Sequence, residues 1–211
     1  DPVNNTVLSR KTQPSGTTIG DGSETIDNVS MSQSGNYVIV QYNHSGSGNN
    51  QGIKLFDRSL NFIRQLSQRG GSHCDSGFDS SGSEVIVVQD DKSDALVSVR
   101  FSTAEKMTVL PESLMNWSIH ISLRNTKRPG WAYISEFAGD PANKANYNET
   151  FAVKLDGSGT VERFAKEHHS LSTAYDREPM GVPNPDGTKV LFASDWDNQS
   201  NPVYVYVAQI R

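Results

Sequence analysis

Residues 184–195 read NPDGTKVLFASD, a polar turn that leads directly into a β-rich apolar segment. Proline and glycine favour a tight turn, because glycine adopts the positive φ of such turns at low cost. The apolar run that follows is short and nearly continuous, which is typical of a strand covered on both faces. This stretch therefore predicts a hairpin in a sheet that lies between neighbouring sheets.

The same form occurs three more times earlier in the chain. The segments are SQSGNYVIVQY at 32–42, DSSGSEVIVVQD at 79–90 and TKRPGWAYISE at 126–136. Their turn glycines are separated by 47, 48 and 57 residues, at Gly35, Gly82, Gly130 and Gly187. A period of about 45 to 50 residues with several short strands per unit is the signature of a β-propeller blade. We therefore predict an all-β propeller of about four four-stranded blades.

The predicted blades cover about 26–68, 73–112, 117–167 and 173–211, within a single propeller domain or a fragment of one. The last unit has three predicted strands, whereas residues 6–11 form a spare one. Pairing this spare strand beside residues 203–208 would close a four-bladed ring and remove exposed edges. Two alternatives stay open. In one the chain is the last part of a six- to eight-bladed propeller, and in the other two chains join in an eight-bladed ring.

Composition narrows the class of protein. The formal charge of -5, from 19 Lys and Arg against 24 Asp and Glu, argues against a nucleic-acid binder. Only 35% of the residues are hydrophobic, and no apolar run approaches the roughly 20 residues of a membrane span. The single cysteine excludes an intrachain disulfide. The abundance of Asn, Ser, Gly and Thr predicts a secreted or periplasmic bacterial protein whose leader was removed.

Several segments carry a resemblance to known propellers. The stretch NPDGTKVLFASDW at 184–196 resembles the repeated turn of the TolB-like propeller superfamily, and NETFAVKLDGSGTVERFA at 148–165 is similar to a strand pair of that group. The segments at 120–135 and 168–187 resemble secreted propeller polysaccharide lyases of the oligogalacturonate-lyase and ulvan-lyase type. This resemblance implies a six- to eight-bladed fold, an acidic glycan as substrate and a metal at the propeller centre.

The register of the repeats predicts a metal site. His73, His120 and Glu178 precede their turn glycines by nine or ten residues, so they reach comparable depth around one axis. Imidazole, thiolate and carboxylate groups are the ligands of Zn²⁺, the expected divalent metal. The predicted ligands are His73, Cys74, His120, His169 and Glu178. The alternative is that these histidines only form hydrogen bonds in the core and that the cysteine is simply buried.

Eliminative cleavage of a uronate needs a cation to neutralise the carboxylate, a base and an acid. Arginine suits the first role through bidentate binding, and tyrosine or histidine can transfer protons. The predicted catalytic residues are Tyr175, Arg177 and His168. The predicted substrate-binding residues are Arg124, Arg128 and Trp117. In the alternative interpretation Tyr175 packs on an apolar layer and Arg177 pairs with a neighbouring carboxylate, while Trp131 and Trp196 pack between blades.

Together these patterns predict an extracellular carbohydrate-active propeller that cleaves an acidic, uronate-containing polysaccharide by β-elimination. The alternative is a non-catalytic binding or scaffold propeller with a structural metal in its channel, so enzymatic activity stays open. The expected partner is an acidic polysaccharide or oligosaccharide, with neither nucleic acid nor a membrane span. Self-association, or a missing N-terminal part, would complete the ring.

Overall fold

Short antiparallel strands dominate the chain. The computed structural model describes residues 26–115, 118–138, 148–170 and 175–210. In this part the strands form sheets in which neighbours follow one another in chain order. The chain divides into two compact units, Asp1–Ser72 and His73–Arg211. No helix among the described residues is long and apolar enough to cross a membrane.

The first unit holds one four-stranded sheet. Its strands are β1 (Ile26–Met31), β2 (Tyr37–Tyr42), β3 (Ile53–Asp57) and β4 (Phe62–Ser67). The inner strand β2 is apolar and buried over most of its length, and Val38, Val40 and Tyr42 share one face with Phe56 of β3. The near-continuous apolar run in the sequence therefore corresponds to a strand that is covered on both faces.

The second unit holds three further sheets. The first contains β5 (Cys74–Phe78), β6 (Glu84–Gln89), β7 (Leu96–Arg100) and β8 (Lys106–Leu110). The next contains β9 (Ser118–Ser122), β10 (Trp131–Ala138), β11 (Glu149–Lys154) and β12 (Val161–Lys166). The last contains β13 (Val182–Pro183), β14 (Lys189–Ser194) and β15 (Tyr204–Gln209). Short 3-10 turns cover Glu112–Leu114 and Tyr175–Arg177.

Apolar side chains fill the space between successive sheets of the second unit. Val85 and Val87 of β6 share a cluster with Ala132 and Ile134 of β10. The opposite face of β10 carries Tyr133, which clusters with residues of β11 and β14. The middle sheet is thus buried on both faces, and this stacking is the main source of stability in the unit.

Two of the repeated hairpin turns are fixed by an acceptor side chain that binds two backbone N–H groups. The Asp79 carboxylate accepts the backbone N–H groups of Ser81 and Ser83 at 2.8 and 3.0 Å. In the last sheet the Asn184 amide oxygen accepts two backbone N–H groups in the same way. Gly187 completes that turn with φ +68°, and a Cβ there would overlap the Tyr133 hydroxyl. The glycines used to recognise the repeat are therefore required by geometry.

The predicted all-β architecture and the order of strands within each unit are confirmed. The first strand of the last sheet is short, because the 3-10 turn Tyr175–Arg177 precedes it and only Val182–Pro183 pairs. The spare strand at 6–11 lies outside the described residues. Closure of the ring therefore stays a prediction.

Candidate functional site

The segments that lead into the first strands of the second unit carry the predicted site residues. His73 directly precedes β5, His120 lies in β9, and Glu178 lies between the last 3-10 turn and β13. His120 is paired with Ser135 of β10, so it shares a face with Phe137 two residues further along. Equivalent positions in successive sheets are thereby brought together, as the register of the repeats predicts.

An imidazole–carboxylate pair forms the centre of this cluster. The His120 Nε2 and Glu178 Oε2 atoms are 2.7 Å apart, and the side chains are only 11% and 14% exposed. The His73 ring meets the His120 ring edge-on with centroids 4.2 Å apart. The Tyr175 ring lies edge-on at 6.1 Å and is 63% exposed, so it forms the outer wall.

The apolar surroundings of the pair set its protonation. Phe137 stacks on His120 with centroids 4.8 Å apart. Burial lowers the pKa of His120 to about 4, so the imidazole is neutral near pH 7. Burial also raises the pKa of Glu178, although the charges of His73 and His169 oppose this effect. A neutral imidazole held by a carboxyl group is suited to accept a proton.

His169 lies on the other side of Phe137, with ring centroids 6.1 Å apart. Its side chain is 2% exposed, and neither ring nitrogen has a hydrogen-bond partner among the described residues. Burial lowers the pKa of His169, while the charges of Asp195, Glu178 and Asp197 act in the opposite direction. A buried imidazole is costly unless its nitrogens form hydrogen bonds, and the described residues supply none.

A second anchored charge borders the cluster. The Arg177 Nη1 atom donates to Asp195 Oδ2 at 3.0 Å and to the Asn201 carbonyl at 3.3 Å. Asp195 is 1% exposed and also accepts the Ser170 backbone N–H at 2.9 Å and its hydroxyl. Burial alone would raise the pKa of Asp195, but the hydrogen bonds from Ser170 and Arg177 lower it, so this carboxylate stays ionised. The guanidinium is therefore fixed in place.

His168 is directed away from its neighbour His169. Its ring stacks on Trp196 with centroids 4.4 Å apart, and its Nδ1 atom lies 2.8 Å from Asp197 Oδ2. The catalytic role predicted for His168 gains no support from this position. Trp196 is 51% exposed, so its expected packing between blades is wrong. Trp196, two residues beyond the end of β14, is turned outward where Trp196 and Asp197 both have positive φ.

Two predicted substrate ligands lie elsewhere. The Arg128 guanidinium stacks over Trp131 at 4.1 Å and binds both carboxylate oxygens of Glu162 at 2.7 and 2.8 Å. Trp131 and Phe137 are six residues apart along β10, which corresponds to about 20 Å of strand. Arg124 is exposed beyond the end of β9, with its Nε atom 3.4 Å from Asp75. The structure does not bring either arginine to the His120 cluster, because both have structural partners.

The remaining predicted positions are Cys74 and Trp117. Cys74 is half-buried in β5 beside His73, whereas Trp117 lies outside the described residues. Within the described ranges, no group of three or more His, Cys, Asp or Glu side chains is arranged to hold a metal ion. The prediction of zinc therefore gains no support.

The residue types at the centre nevertheless suit a divalent cation. His73, His120, His169 and Glu178 offer nitrogen and oxygen donors, and the two nitrogens of buried His169 have no partner among the described residues. Sequence reasoning missed Phe137 and Asp195. Side chains alternate between the two faces of a strand, so counting two residues along β10 from Ser135, the partner of His120, leads to Phe137. No such pattern in the sequence points to Asp195.

Comparisons with known proteins support the fold. No family model matches the chain, and no curated protein does so at a significant level. Among solved structures, oligogalacturonate lyase from Vibrio parahaemolyticus is similar at 12% identity with a TM-score of 0.55. An oligogalacturonate lyase in complex with manganese shares 17% identity, with a TM-score of 0.54. A TolB protein from Agrobacterium tumefaciens shares 18% identity, with a TM-score of 0.55.

These matches cover most of this chain but not most of the other proteins. The two lyases match 83% of this chain over 46% of their own length, and the TolB protein matches 85% over 60%. This chain thus spans about half the length of the lyases. The expected resemblance to TolB-like and oligogalacturonate-lyase propellers is confirmed at the level of structure. At these identities the likeness establishes the fold, and the chain has the strand arrangement of a β-propeller.

Proposed function

We propose that this chain carries the active face of a propeller that cleaves a uronate-containing polysaccharide by β-elimination. The observation that carries the proposal is the 2.7 Å contact between His120 and Glu178, beside the anchored guanidinium of Arg177. A neutral base (His120), a fixed cation (Arg177) and an exposed phenol (Tyr175) then border one cluster. These are the three groups that elimination of a uronate requires.

Arg177 binds the substrate carboxylate. Its Nη1 atom is engaged by Asp195 and Asn201, and a guanidinium has five N–H donors, so it can hold a second carboxylate at the same time. Bidentate binding neutralises the uronate charge and makes the proton on the adjacent carbon more acidic. Because Asp195 fixes the guanidinium, little reorganisation accompanies the reaction.

His120 removes that proton. In the tautomer that carries hydrogen on Nε2, this N–H donates to Glu178, which leaves the lone pair on Nδ1 and orients the ring. The low pKa of about 4 keeps the imidazole neutral before the reaction. When the proton arrives, the carboxylate of Glu178 stabilises the imidazolium that forms, as the carboxylate does in a histidine–aspartate pair.

Tyr175 protonates the leaving group. The bond from the proton-bearing carbon to hydrogen and the bond from its neighbour to the glycosidic oxygen break, and a carbon–carbon double bond forms between the two carbons. The departing oxygen takes the Tyr175 phenol proton, and His120 returns its proton to the phenolate through solvent. The exposed position of Tyr175 gives the sugar chain access to the hydroxyl.

Some residue types of the same cluster suit a divalent cation. Manganese is present in one structural neighbour, and here His73 and His169 would hold such an ion, while His120 and Glu178 form the proton-transfer pair. When bound, it would supply positive charge that polarises the substrate carboxylate. Expected locations for such an enzyme are the periplasm or the outside of the cell, which stays a prediction.

The test is an ultraviolet absorbance assay for unsaturated uronate, with polygalacturonate and a neutral glycan as substrates. Wild-type protein should release absorbing products only from the uronate polymer. His120→Gln should slow release about 10²- to 10⁴-fold, the usual contribution of a general base. His44→Gln, which changes an exposed histidine of the first unit, is the matched control. Equal losses in both variants would contradict the assignment of His120.

A non-catalytic binding propeller is the second candidate. The observation that favours it is the burial of His169, which is 2% exposed and could ligate a purely structural ion. In that case the protein would bind acidic oligosaccharides without releasing unsaturated products. Measuring binding and product release on the same sample separates the two functions.

A further inference from the structure

Trp196 is presented to solvent by an unusual backbone. It lies two residues beyond the inner strand β14 and is 51% exposed. Trp196 and Asp197 both adopt the left-handed conformation, with φ of 56° and 59°, and His168 opposite them has φ of 50°. For residues other than glycine each such position costs about 1 kcal/mol or more. Three of them at one surface point indicate a constrained geometry.

Hydrogen bonds hold this geometry. The Asp197 N–H donates to the His168 carbonyl at 2.6 Å, and the Ser194 hydroxyl donates to the same carbonyl at 2.8 Å. The Trp196 N–H donates to the Ser194 hydroxyl at 2.9 Å. The two strained loops are therefore tied together, and the backbone under the indole is fixed by its neighbours.

The indole rests on a column of rings. It stacks on His168 with centroids 4.4 Å apart and contacts Tyr206 at 5.2 Å. Tyr206 in turn stacks on Phe192, which is 5% exposed. The column begins in the core and ends at the surface, so packed aromatic rings support the exposed indole. Asp197 places a carboxylate beside the rings through its contact with the His168 Nδ1 atom.

The chain links this platform to the candidate active site. Asp195 precedes Trp196 and holds Arg177 at 3.0 Å. Trp196 is therefore the residue next to Asp195, and Asp195 anchors Arg177, the proposed carboxylate-binding cation. A ligand held at Arg177 that extends outward along this loop would meet the Trp196 ring.

We propose that Trp196, His168 and Asp197 form a subsite that stacks a sugar unit of the polysaccharide beyond the unit bound at Arg177. This inference rests on the proposed function and names a new part of its binding site. A pyranose ring has an apolar C–H face that covers an indole, and its hydroxyl groups lie at the ring edge. The Asp197 carboxylate accepts hydroxyl protons there, and its contact with the His168 imidazole holds it in place.

The test measures how binding depends on oligosaccharide length. Galacturonate dimer and hexamer are titrated calorimetrically into wild-type protein, Trp196→Ala, Trp196→Phe and Tyr204→Ala. Tyr204 lies in β15, is 55% exposed and serves as the matched control for losing an exposed aromatic ring. Trp196→Ala should raise the Kd for the hexamer about five- to tenfold and that for the dimer less than twofold. Trp196→Phe should recover part of the loss.

The outcomes separate this inference from the proposed function. If wild type and Trp196→Ala bind the hexamer equally, the subsite is refuted while the function stands. If the dimer and hexamer weaken equally, the ring supports the fold rather than a subsite, which also refutes it. If Tyr204→Ala has the same effect as Trp196→Ala, the loss is unspecific and the subsite is refuted. If wild type binds neither oligosaccharide, the proposed function itself falls.

Discussion

Replacing Asp79 by Asn tests the turn that repeats along the chain. The Asp79 side chain is 7% exposed, and its Oδ1 atom accepts two backbone N–H groups and the Ser81 hydroxyl. Its Oδ2 atom accepts the Arg100 guanidinium at 2.9 Å. In Asp79→Asn the amide oxygen can retain the backbone contacts, but the amide nitrogen would face the guanidinium with a donor.

The expected loss follows from these contacts. A hydrogen bond to a charged group contributes about 1.5 to 3 kcal/mol, against about 0.5 to 1.5 kcal/mol for a neutral one. The pair with Arg100 adds little, because that side chain is 39% exposed. We therefore expect Asp79→Asn to lower the free energy of unfolding by about 2 kcal/mol at pH 7.

The pH dependence gives a second signature. Burial alone would raise the pKa of Asp79, but the hydrogen bonds from Ser81, Arg100 and Ser83 lower it below its usual value. A carboxyl group with a lowered pKa in the folded state stabilises the protein above its unfolded pKa, about 3.9. That stabilisation is lost as the pH falls through the folded pKa. The difference between wild type and Asp79→Asn should therefore shrink below about pH 4.

Urea unfolding at several pH values measures both effects. Asp186→Asn is the matched control, since Asp186 lies in the corresponding turn of the last sheet, is 57% exposed and is 3.5 Å from Lys127. This control should change the free energy of unfolding by less than about 0.5 kcal/mol. Equal losses in the two variants, or a loss at Asp79 that persists in acid, would show that the ionised Asp79 carboxylate does not stabilise this turn.

Three further predictions concern the fold and the site. Tyr133→Phe removes a buried hydroxyl that donates to the Gly187 carbonyl at 2.6 Å, so urea unfolding should show a loss of about 1 to 2 kcal/mol; an unchanged midpoint would contradict the role of this contact between sheets. Arg177→Lys should raise KM for polygalacturonate, because an ammonium cannot bind a carboxylate bidentately, and an unchanged KM would argue against carboxylate binding at this position. Dialysis against a chelator should lower the thermal midpoint of freshly purified protein, and re-addition of Mn²⁺ should restore it, whereas the absence of stoichiometric metal before dialysis would refute the cation site.

The fold could be predicted from the sequence because turns and strands are specified by residues that are close together in the chain. Each turn glycine is followed by an apolar strand, and the spacing between successive turn glycines gives the length of the repeated sheet. The same register correctly brought His73, His120 and Glu178 together, since equivalent positions in stacked sheets converge. Position along a repeat is therefore enough to group residues that lie far apart in sequence.

The pairing of side chains could not be predicted from the sequence in the same way. Arg128 belongs to the densest basic patch of the sequence, but it binds Glu162, which is 34 residues away on β12. The exposure of Trp196 depends on two positive φ values that no residue type in the segment SDWDN demands. Such features arise from contacts between sheets, and a single sequence does not reveal which side chains pair with each other.

Cleavage of polygalacturonate in heavy-oxygen water distinguishes β-elimination from hydrolysis. Elimination forms a carbon–carbon double bond and takes no oxygen from solvent into the cleaved linkage, whereas hydrolysis adds one. Mass spectrometry of products from wild-type protein should show unlabelled, unsaturated ends, and His120→Gln should yield far less of them. Labelled, saturated products, or no products from any uronate polymer, would contradict cleavage by β-elimination.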